Sequence, residues 1–237
     1  MLKLQSLNKR YGALVVTDDV SLDIADGEIV GILGPNGAGK TTLFNLIAGT
    51  IKPNSGAIIF DGREITRQDA AIRCKSGISR SFQVPHPFVG MTVFENVLVG
   101  ATFGRDAPGA TDYAIKALAL TGLAKKANHL AGNLPLLDRK RLELARSLAT
   151  QPRLLLLDEI AGGLTESECG ELLDVLREVH ASGVTMVWIE HVVHALLSVA
   201  QRLVVMNFGR KIADGAPDAV MASREVQSVY LGEDALV

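Results

Sequence analysis

The chain has 237 residues, 48% of them apolar, which is enough for one large domain with a sizeable buried core. Its formal net charge of −2 excludes the global basic field of a general nucleic-acid-binding protein, so we expect no nucleic-acid partner. No apolar run approaches the roughly 18–20 residues that span a bilayer, and the N-terminus lacks the apolar stretch of a signal peptide, so membrane work would require a partner.

The first buried strand that the pattern predicts, Ile29–Leu33, leads through a glycine-rich turn into a helical pattern over residues 41–48. Strand, turn and helix in this order form half of a parallel α/β unit. The turn reads Gly34-Pro35-Asn36-Gly37-Ala38-Gly39-Lys40-Thr41 and fits the phosphate-loop pattern, in which backbone N–H groups surround phosphate oxygens. The pattern predicts that Lys40 contacts the β- and γ-phosphates and that the Thr41 hydroxyl binds Mg²⁺. The alternative is a flexible glycine turn.

A second short strand is predicted over residues 57–60, and the turn Asp61-Gly62 ends it. The middle third of the chain differs in character. Helical patterns dominate between residues 85 and 151, notably over 112–120 and 139–150, and no strand-like run is present. Prolines and a glycine mark the start of this segment, and Gln151-Pro152 marks its end. The pattern therefore predicts a helical subdomain inserted into an α/β core.

A run of four leucines over residues 154–157 predicts a buried strand, and Asp158 and Glu159 follow it directly. Successive side chains of a strand point in opposite directions, so the two carboxylates are expected to have different surroundings. We assign Asp158 to Mg²⁺ and Glu159 to the attacking water, as general base or water-positioning group. Taken alone, an acidic strand end is more often a helix cap or a solvated turn. The phosphate loop upstream favours the catalytic interpretation.

The last third continues the α/β pattern. Apolar residues at helical spacing predict a helix over residues 166–180, and the apolar run over 184–189 predicts another central strand. Two further short runs, 203–206 and 211–213, flank a turn and predict a hairpin.

With these motifs, the chain resembles the ATPases of ABC transporters over nearly its whole length. The resemblance implies a RecA-like P-loop NTPase core with a parallel sheet, an N-terminal antiparallel β part and an inserted helical subdomain. We expect a single ABC ATPase domain over residues 1–237, with the core in 1–84 and 152–237 and the subdomain in 85–151. ATP and Mg²⁺ are the expected ligands.

The resemblance also implies roles for residues that carry no strong signal of their own. Tyr11 stands where the family keeps an aromatic side chain that stacks on adenine. Gln83 stands at the glutamine that contacts Mg²⁺ and water, and His191 at the histidine that touches the γ-phosphate and holds the catalytic glutamate. The expected catalytic residues are Glu159, His191 and Gln83, and the expected metal ligands are Thr41, Gln83 and Asp158. The expected nucleotide-binding residues are Tyr11, Gly34, Pro35, Asn36, Gly37, Ala38, Gly39, Lys40, Thr41 and Thr42.

The chain departs from the family pattern in two places. The signature segment, which contacts nucleotide in the opposite subunit, reads Leu134-Pro135-Leu136-Leu137-Asp138, where the family has Leu-Ser-Gly-Gly-Gln or close to it. Pro135 offers neither a hydroxyl nor an N–H group, Leu136 and Leu137 are bulky, and the carboxylate of Asp138 is expected to repel phosphate. Beyond Glu159, Ile160 replaces the usual proline and Thr165 replaces an acidic or amide residue. Because both segments serve the dimer interface in the family, we predict a heterodimer with a second ABC ATPase in preference to a homodimer.

Among ABC ATPases, the chain is most similar to the ATPase subunits of branched-chain amino-acid transporters. The similar stretches are Met91–Gly100, Arg141–Arg146 and Tyr230–Glu233. The resemblance implies membrane permease partners, a peripheral location on the cytoplasmic face of the inner (plasma) membrane, and uptake of branched-chain amino acids or related small solutes. Lipopolysaccharide-export or urea-type ATPase subunits are alternatives, as is a non-transport regulatory ABC ATPase.

Overall fold

A computed structural model of the protein describes residues 1–105 and 107–231. The strands are β1 (Leu2–Tyr11), β2 (Leu14–Ile24), β3 (Ile29–Leu33), β4 (Ser55–Phe60), β5 (Arg63–Glu64), β6 (Ile78–Arg80), β7 (Leu154–Asp158), β8 (Thr185–Ile189), β9 (Arg202–Asn207) and β10 (Arg210–Gly215). The helices are α1 (Lys40–Ala48), α2 (Ala70–Ser76), α3 (Val93–Phe103), α4 (Ala110–Leu120), α5 (Leu136–Ala149), α6 (Glu166–Ala181), α7 (Val193–Leu197), α8 (Pro217–Met221) and α9 (Arg224–Leu231).

The chain divides into two compact units, residues 1–70 with 187–237 and residues 71–186. The predicted helical subdomain, 85–151, falls inside the second unit, but its boundaries with a core over 1–84 and 152–237 remain a prediction. Of the stretch Tyr230–Glu233, Gly232 and Glu233 lie outside the described residues. Among the helices that the structure describes, none is both long enough and apolar enough to cross a bilayer.

The first unit contains two sets of paired strands. Four strands form an antiparallel sheet in the order β2-β1-β4-β5, and this confirms the predicted antiparallel β part. The tight connection between β4 and β5 is the predicted Asp61-Gly62 turn, in which both residues have positive φ, as a two-residue hairpin requires. In addition, β3 pairs in parallel with β9, and β9 pairs antiparallel with β10, which confirms the predicted hairpin.

The three central strands that the sequence predicted are buried along their whole length. All five residues of β3, of β7 and of β8 are buried, as expected for strands covered on both faces. In the second unit β6 pairs in parallel with β7, with Arg80 opposite Leu156. The boundary between the two units falls within β8. The parallel pairs and the interleaved helices establish the α/β fold.

Within the second unit, α3, α4 and α5 pack around a small core of their own. Its largest members are leucines and valines from all three helices, and alanines allow the helices to approach closely. Leu134, the first residue of the signature segment, belongs to this core. Helix α5 begins at Leu136, slightly before the predicted start. Helix α3 was not predicted as a helix, although Thr92 and Glu95 form a capping box at its start.

Candidate functional site

The phosphate loop follows β3 in the first unit and depends on two glycines. Gly34 has a φ of 147°, and a Cβ there would lie 2.1 Å from the carbonyl oxygen of Met206. Gly39 has a φ of 98°, and a Cβ there would lie 2.3 Å from the carbonyl oxygen of Val16. Any other residue at either position would therefore be both strained and blocked by backbone. The backbone of Met206 and Val16 thus packs closely against one side of the loop, while Asn36 and Gly37 are exposed.

Lys40 folds back over the phosphate loop. Its buried ammonium donates hydrogen bonds to the carbonyl oxygens of Gly34, at 2.6 Å, and Pro35, at 3.0 Å. Lys40 is also the first residue of α1, and no side chain caps this helix at Gly39. A fixed ammonium and the positive end of a helix therefore occur together at the loop, which is the electrostatic arrangement of a phosphate site. Thr41, in the first turn of α1, is exposed, and Thr42 is partly exposed.

The tip of the β9–β10 hairpin holds the loop from outside. The backbone N–H of Gly209 donates to the carbonyl oxygen of Ala38 at 3.0 Å, and the carbonyl oxygen of Gly209 accepts from the N–H of Asp18 at 2.8 Å. Arg210 reinforces this corner with an ion pair to Asp18 at 2.6 Å. Sequence patterns predicted the hairpin but not this contact, because the partners are far apart in the chain.

Two further predicted site residues belong to the first unit. Tyr11 is the last residue of β1; its side chain is 52% exposed, and the Lys9 ammonium lies 5.1 Å from its ring centroid. His191 is exposed two residues after the end of β8. Its backbone N–H donates at 2.9 Å to the carboxylate of Glu190, which also accepts from the N–H of Val192 at 3.3 Å. Glu190 is buried and fixes the turn that presents His191, a role that sequence analysis did not identify.

The two acids at the end of β7 have different partners, as predicted. Asp158 is buried and forms a 2.5 Å ion pair with Arg80, which is the last residue of β6. Since β6 and β7 are paired in parallel, their carboxyl ends meet and bring the two side chains together. Arg80 was missed by sequence analysis, although it precedes Gln83 by only three residues.

Glu159 leaves the strand in an unusual backbone conformation. Its φ of 48° lies in the left-handed region, which costs a residue other than glycine on the order of 1–3 kcal/mol. The side-chain amide of Gln83 donates a short hydrogen bond to the Glu159 carboxylate. The structure thus brings together Gln83 and Glu159, two of the three residues expected to be catalytic.

The signature segment is partly buried. Pro135 and Leu136 are exposed, whereas the side chains of Leu134, Leu137 and Asp138 are buried. Asp138 is only 3% exposed; it pairs with Lys126 and lies 3.9 Å from Arg141. Burial and the two nearby cations should weaken the expected repulsion between Asp138 and phosphate, which stays a prediction.

The second departure from the family pattern has a local explanation. Thr165 is the N-cap of α6: its hydroxyl accepts the backbone N–H of Glu168, and the Glu168 carboxylate accepts the N–H of Thr165 at 2.9 Å. These two hydrogen bonds form a capping box. Ile160, at the position of the usual proline, is buried. Both residues therefore serve local structure in this chain.

The chain is similar to known proteins in both sequence and structure. The ABC transporter family matches residues 17–162, and the branched-chain amino acid ATP-binding cassette transporter family matches residues 210–235. The high-affinity branched-chain amino acid transport ATP-binding protein LivG of Salmonella typhimurium is 36% identical, and BraF of Pseudomonas aeruginosa is 34% identical. Each comparison covers 98% of both chains. A sulfate/thiosulfate import ATP-binding protein of Shewanella oneidensis is 38% identical over 96% of this chain and 65% of its own.

Solved structures of ABC transporter cassettes also match this chain. A nucleotide-free ATP-binding cassette from an ABC transporter superposes with a TM-score of 0.90 at 30% identity, over 98% of this chain and 99% of the other. An ABC transporter cassette in its ADP conformation superposes with a TM-score of 0.89 at 30% identity, with the same coverage. A dimeric bacterial ABC transporter cassette superposes with a TM-score of 0.80 at 26% identity, over 91% of this chain and 98% of that one.

Proposed function

Because the chain belongs to the ABC transporter family as an ATP-binding subunit, we propose that it hydrolyses Mg²⁺-bound ATP to power the uptake of branched-chain amino acids or related small solutes. The observation that supports the chemistry is the contact between Gln83 and Glu159 beside the buried Asp158. The observation that supports the cargo is the match to LivG and BraF over 98% of the chain.

The donor groups in this chain suit Mg²⁺. The ion prefers oxygen ligands, and the expected set consists of the Thr41 hydroxyl, the Asp158 carboxylate and the Gln83 amide oxygen. Arg80 now neutralises Asp158, so a bound cation would share or replace that partner. When bound, Mg²⁺ supplies charge stabilisation at the transferred phosphoryl group.

Nucleotide binding and catalysis are assigned to different residues of the chain. Lys40 and the amides of the phosphate loop bind the phosphates, and Tyr11 offers an exposed ring for the adenine. Gln83 orients Glu159, which accepts a proton from the attacking water or holds the water in line. His191 is exposed in a turn fixed by Glu190, and it serves the γ-phosphate.

The Glu159→Gln variant tests the proposed chemistry. It keeps the shape and the hydrogen bond from Gln83 but cannot take up a proton, so ATP hydrolysis by the native complex should fall about 10²–10⁴-fold while ATP binding survives. Glu166→Gln, an exposed acid in the first turn of α6, is the matched control and should hydrolyse at the wild-type rate. Wild-type turnover by Glu159→Gln would require new roles for both acids of β7.

We further propose that the chain is a peripheral subunit on the cytoplasmic face of the plasma membrane, bound to permease subunits. Purification from membranes should recover integral membrane proteins with it; recovery of none would favour a non-transport regulatory ATPase. Vesicles containing the complex, supplied with ATP on the cytoplasmic side, should accumulate labelled leucine. Transport of urea or lipopolysaccharide instead would identify one of the alternative cargoes.

Dimerisation is expected from the family, and we propose that the partner ATPase is a different chain. Pro135 and Leu136, the exposed residues of the signature segment, supply no hydroxyl and one N–H group between them. A lost donor to phosphate costs about 1.5–3 kcal/mol, which exceeds the 0.3–1 kcal/mol offered by the N-terminal dipole of α5. A homodimer would carry this defect at both nucleotide sites, whereas a heterodimer with an intact partner would carry it at one.

A further inference from the structure

The segment that carries Gln83, residues 81–88, forms neither helix nor strand, and we call it the glutamine loop. Its apolar side chains do not fix it, because Phe82 is 50% exposed and Val84 is 59% exposed. Burial of hydrophobic surface therefore contributes little to the conformation of the loop around Gln83. Its position has to come from polar contacts.

Helix α5 supplies several of those contacts. The Ser147 hydroxyl donates to the carbonyl oxygen of Arg80 at 3.0 Å, immediately before the loop. The Arg146 guanidinium donates to the carbonyl oxygen of His86 at 2.9 Å, and it lies 5.0 Å from the Phe88 ring centroid. One face of α5 thus follows the loop from its start to its end.

Helix α3 holds the far end of the loop through one buried side chain. The Asn96 amide oxygen accepts the N–H of Phe88 at 2.8 Å, and the Asn96 amide nitrogen donates to the carbonyl oxygen of Phe88 at 3.1 Å. Both ends of the loop are therefore anchored by hydrogen bonds. The position of its central residues then depends on polar side chains of α5.

Glu143 is the buried side chain of α5 that pairs with Arg146. It is 6% exposed, and its carboxylate lies 3.1 Å from the guanidinium that holds the carbonyl oxygen of His86. Burial raises the pKa of Glu143, and Arg146 and the backbone amides of His86 and Phe82 only partly offset the effect. A buried carboxylate is costly, so its pairing with the cation that anchors the loop beyond Gln83 indicates a specific task.

We propose that Glu143 is the positioning residue for Gln83: it holds Arg146 on the carbonyl oxygen of His86 and so fixes the loop beyond Gln83, which lets the Gln83 amide reach Glu159. This proposal rests on the ATPase function proposed above. Glu143 acts only through Gln83 and touches no reacting atom. Displacing a positioned group by about 1 Å can reduce a rate by roughly 10²-fold, so loss of Glu143 should reduce kcat.

A double-mutant cycle in the native complex separates positioning from a merely structural role. Glu143→Ala should lower kcat about 10–100-fold with the KM for ATP unchanged within about twofold, since the phosphate loop is untouched. In a Gln83→Ala background, Glu143→Ala should change kcat by less than about twofold, because nothing remains to position. Glu143→Gln keeps an acceptor for the Arg146 guanidinium and should retain at least about a third of the wild-type kcat.

Glu171→Ala, a substitution on α6, is the matched control, because it removes a 2.8 Å ion pair to Arg141 of α5 without touching the loop. Its kcat should equal that of the wild type. Equal effects of Glu143→Ala in the wild-type and Gln83→Ala backgrounds would overturn the proposal, as would an unchanged kcat.

Hydrogen exchange provides a readout that needs no activity. In the native complex the amides of Phe82 and His86 should exchange faster in Glu143→Ala than in the wild type or in Glu171→Ala. If the wild type does not hydrolyse ATP, the proposed function fails, and exchange alone decides the positioning role. Unchanged exchange at both amides excludes that role.

Discussion

Lys40 shows how one side chain can be prepared for its ligand before the ligand arrives. Two carbonyl oxygens of the phosphate loop already hold its ammonium, so little side-chain freedom remains to be lost on binding. Lys40→Ala removes a charge-assisted contact worth about 1.5–3 kcal/mol, and ATP affinity should fall about 10- to 100-fold by calorimetry. Lys75→Ala, an exposed lysine of α2, is the control. Unchanged affinity in Lys40→Ala would contradict the phosphate-loop assignment.

Arg80, unlike Lys40, is a residue whose role only the structure reveals. Removing one member of a buried ion pair leaves the other charge uncompensated, which costs about 3–5 kcal/mol. Arg80→Ala should therefore lower the free energy of unfolding in urea by that amount, because Asp158 stays buried. Arg177→Ala breaks the exposed pair with Asp174 and should cost less than about 1 kcal/mol. Similar losses in the two variants would show that Asp158 is solvated.

The sequence predicted those site residues whose functional partners lie beside them in the chain. The phosphate loop and the two acids at the end of β7 are contiguous stretches, so the sequence predicted roles for them once they were considered together. Arg80 pairs with Asp158, 78 residues away, and Arg146 holds the His86 carbonyl, 60 residues away; neither spacing nor periodicity encodes such pairs. The pairing of Asp138 was not predictable either, because its partner Lys126 comes from a separate turn.

At the scale of elements, the cap of α6 can be tested directly. Thr165→Ala should lower the free energy of unfolding by about 0.5–2 kcal/mol, whereas Thr165→Ser keeps the hydroxyl and should cost little. The N–H and hydroxyl of Thr165 lower the pKa of Glu168 below its usual range. The carboxylate's share of the cap is therefore present above the ordinary glutamate pKa and lost as the pH falls through the lower folded-state value. Urea denaturation across this pH range should show the two variants converging.

Strands and helices with an uninterrupted hydrophobic pattern were predictable from the sequence, and those with an interrupted pattern were not. Continuous apolar runs gave β3, β7 and β8, and helical spacing gave α6. The long strands β1 and β2 escaped individual prediction because their pairing shifts register near Ser6 and Asp19, both of which have positive φ. Helix α3 lies in the predicted helical segment but was not predicted individually; its valines lower its helix propensity, and a capping box marks its start.

At the scale of the whole molecule, the partner ATPase can be identified by the response to nucleotide. Glu159→Gln protein, purified alone and given ATP and Mg²⁺, should remain monomeric by size-exclusion chromatography with light scattering. Co-expression with a second ATPase that has an intact signature segment should instead give a stable heterodimer. A tight, ATP-dependent homodimer of this chain would count decisively against the heterodimer. Lys40→Ala in the same background is the control that should abolish any ATP response.

The cargo illustrates the limit of prediction from one chain. The sequence establishes the ATPase family through residues that bind and hydrolyse nucleotide, and these are shared among transporters of different solutes. A sulfate/thiosulfate importer's ATPase is as similar in percentage identity as the branched-chain amino acid relatives. We expect the groups that select a solute to lie on the permease subunits, so the nucleotide-binding motifs of this chain do not indicate the solute.

The hydrogen bond between Gly209 and Ala38 has a consequence for the order of events during synthesis. The ribosome makes the phosphate loop early, but the hairpin tip that braces it emerges about 170 residues later. At roughly 5–20 residues per second, this delay is on the order of 10–30 s. Throughout that interval the nascent chain carries the nucleotide-binding sequence without its support. The final geometry of the phosphate loop can therefore form only after Gly209 has left the ribosome.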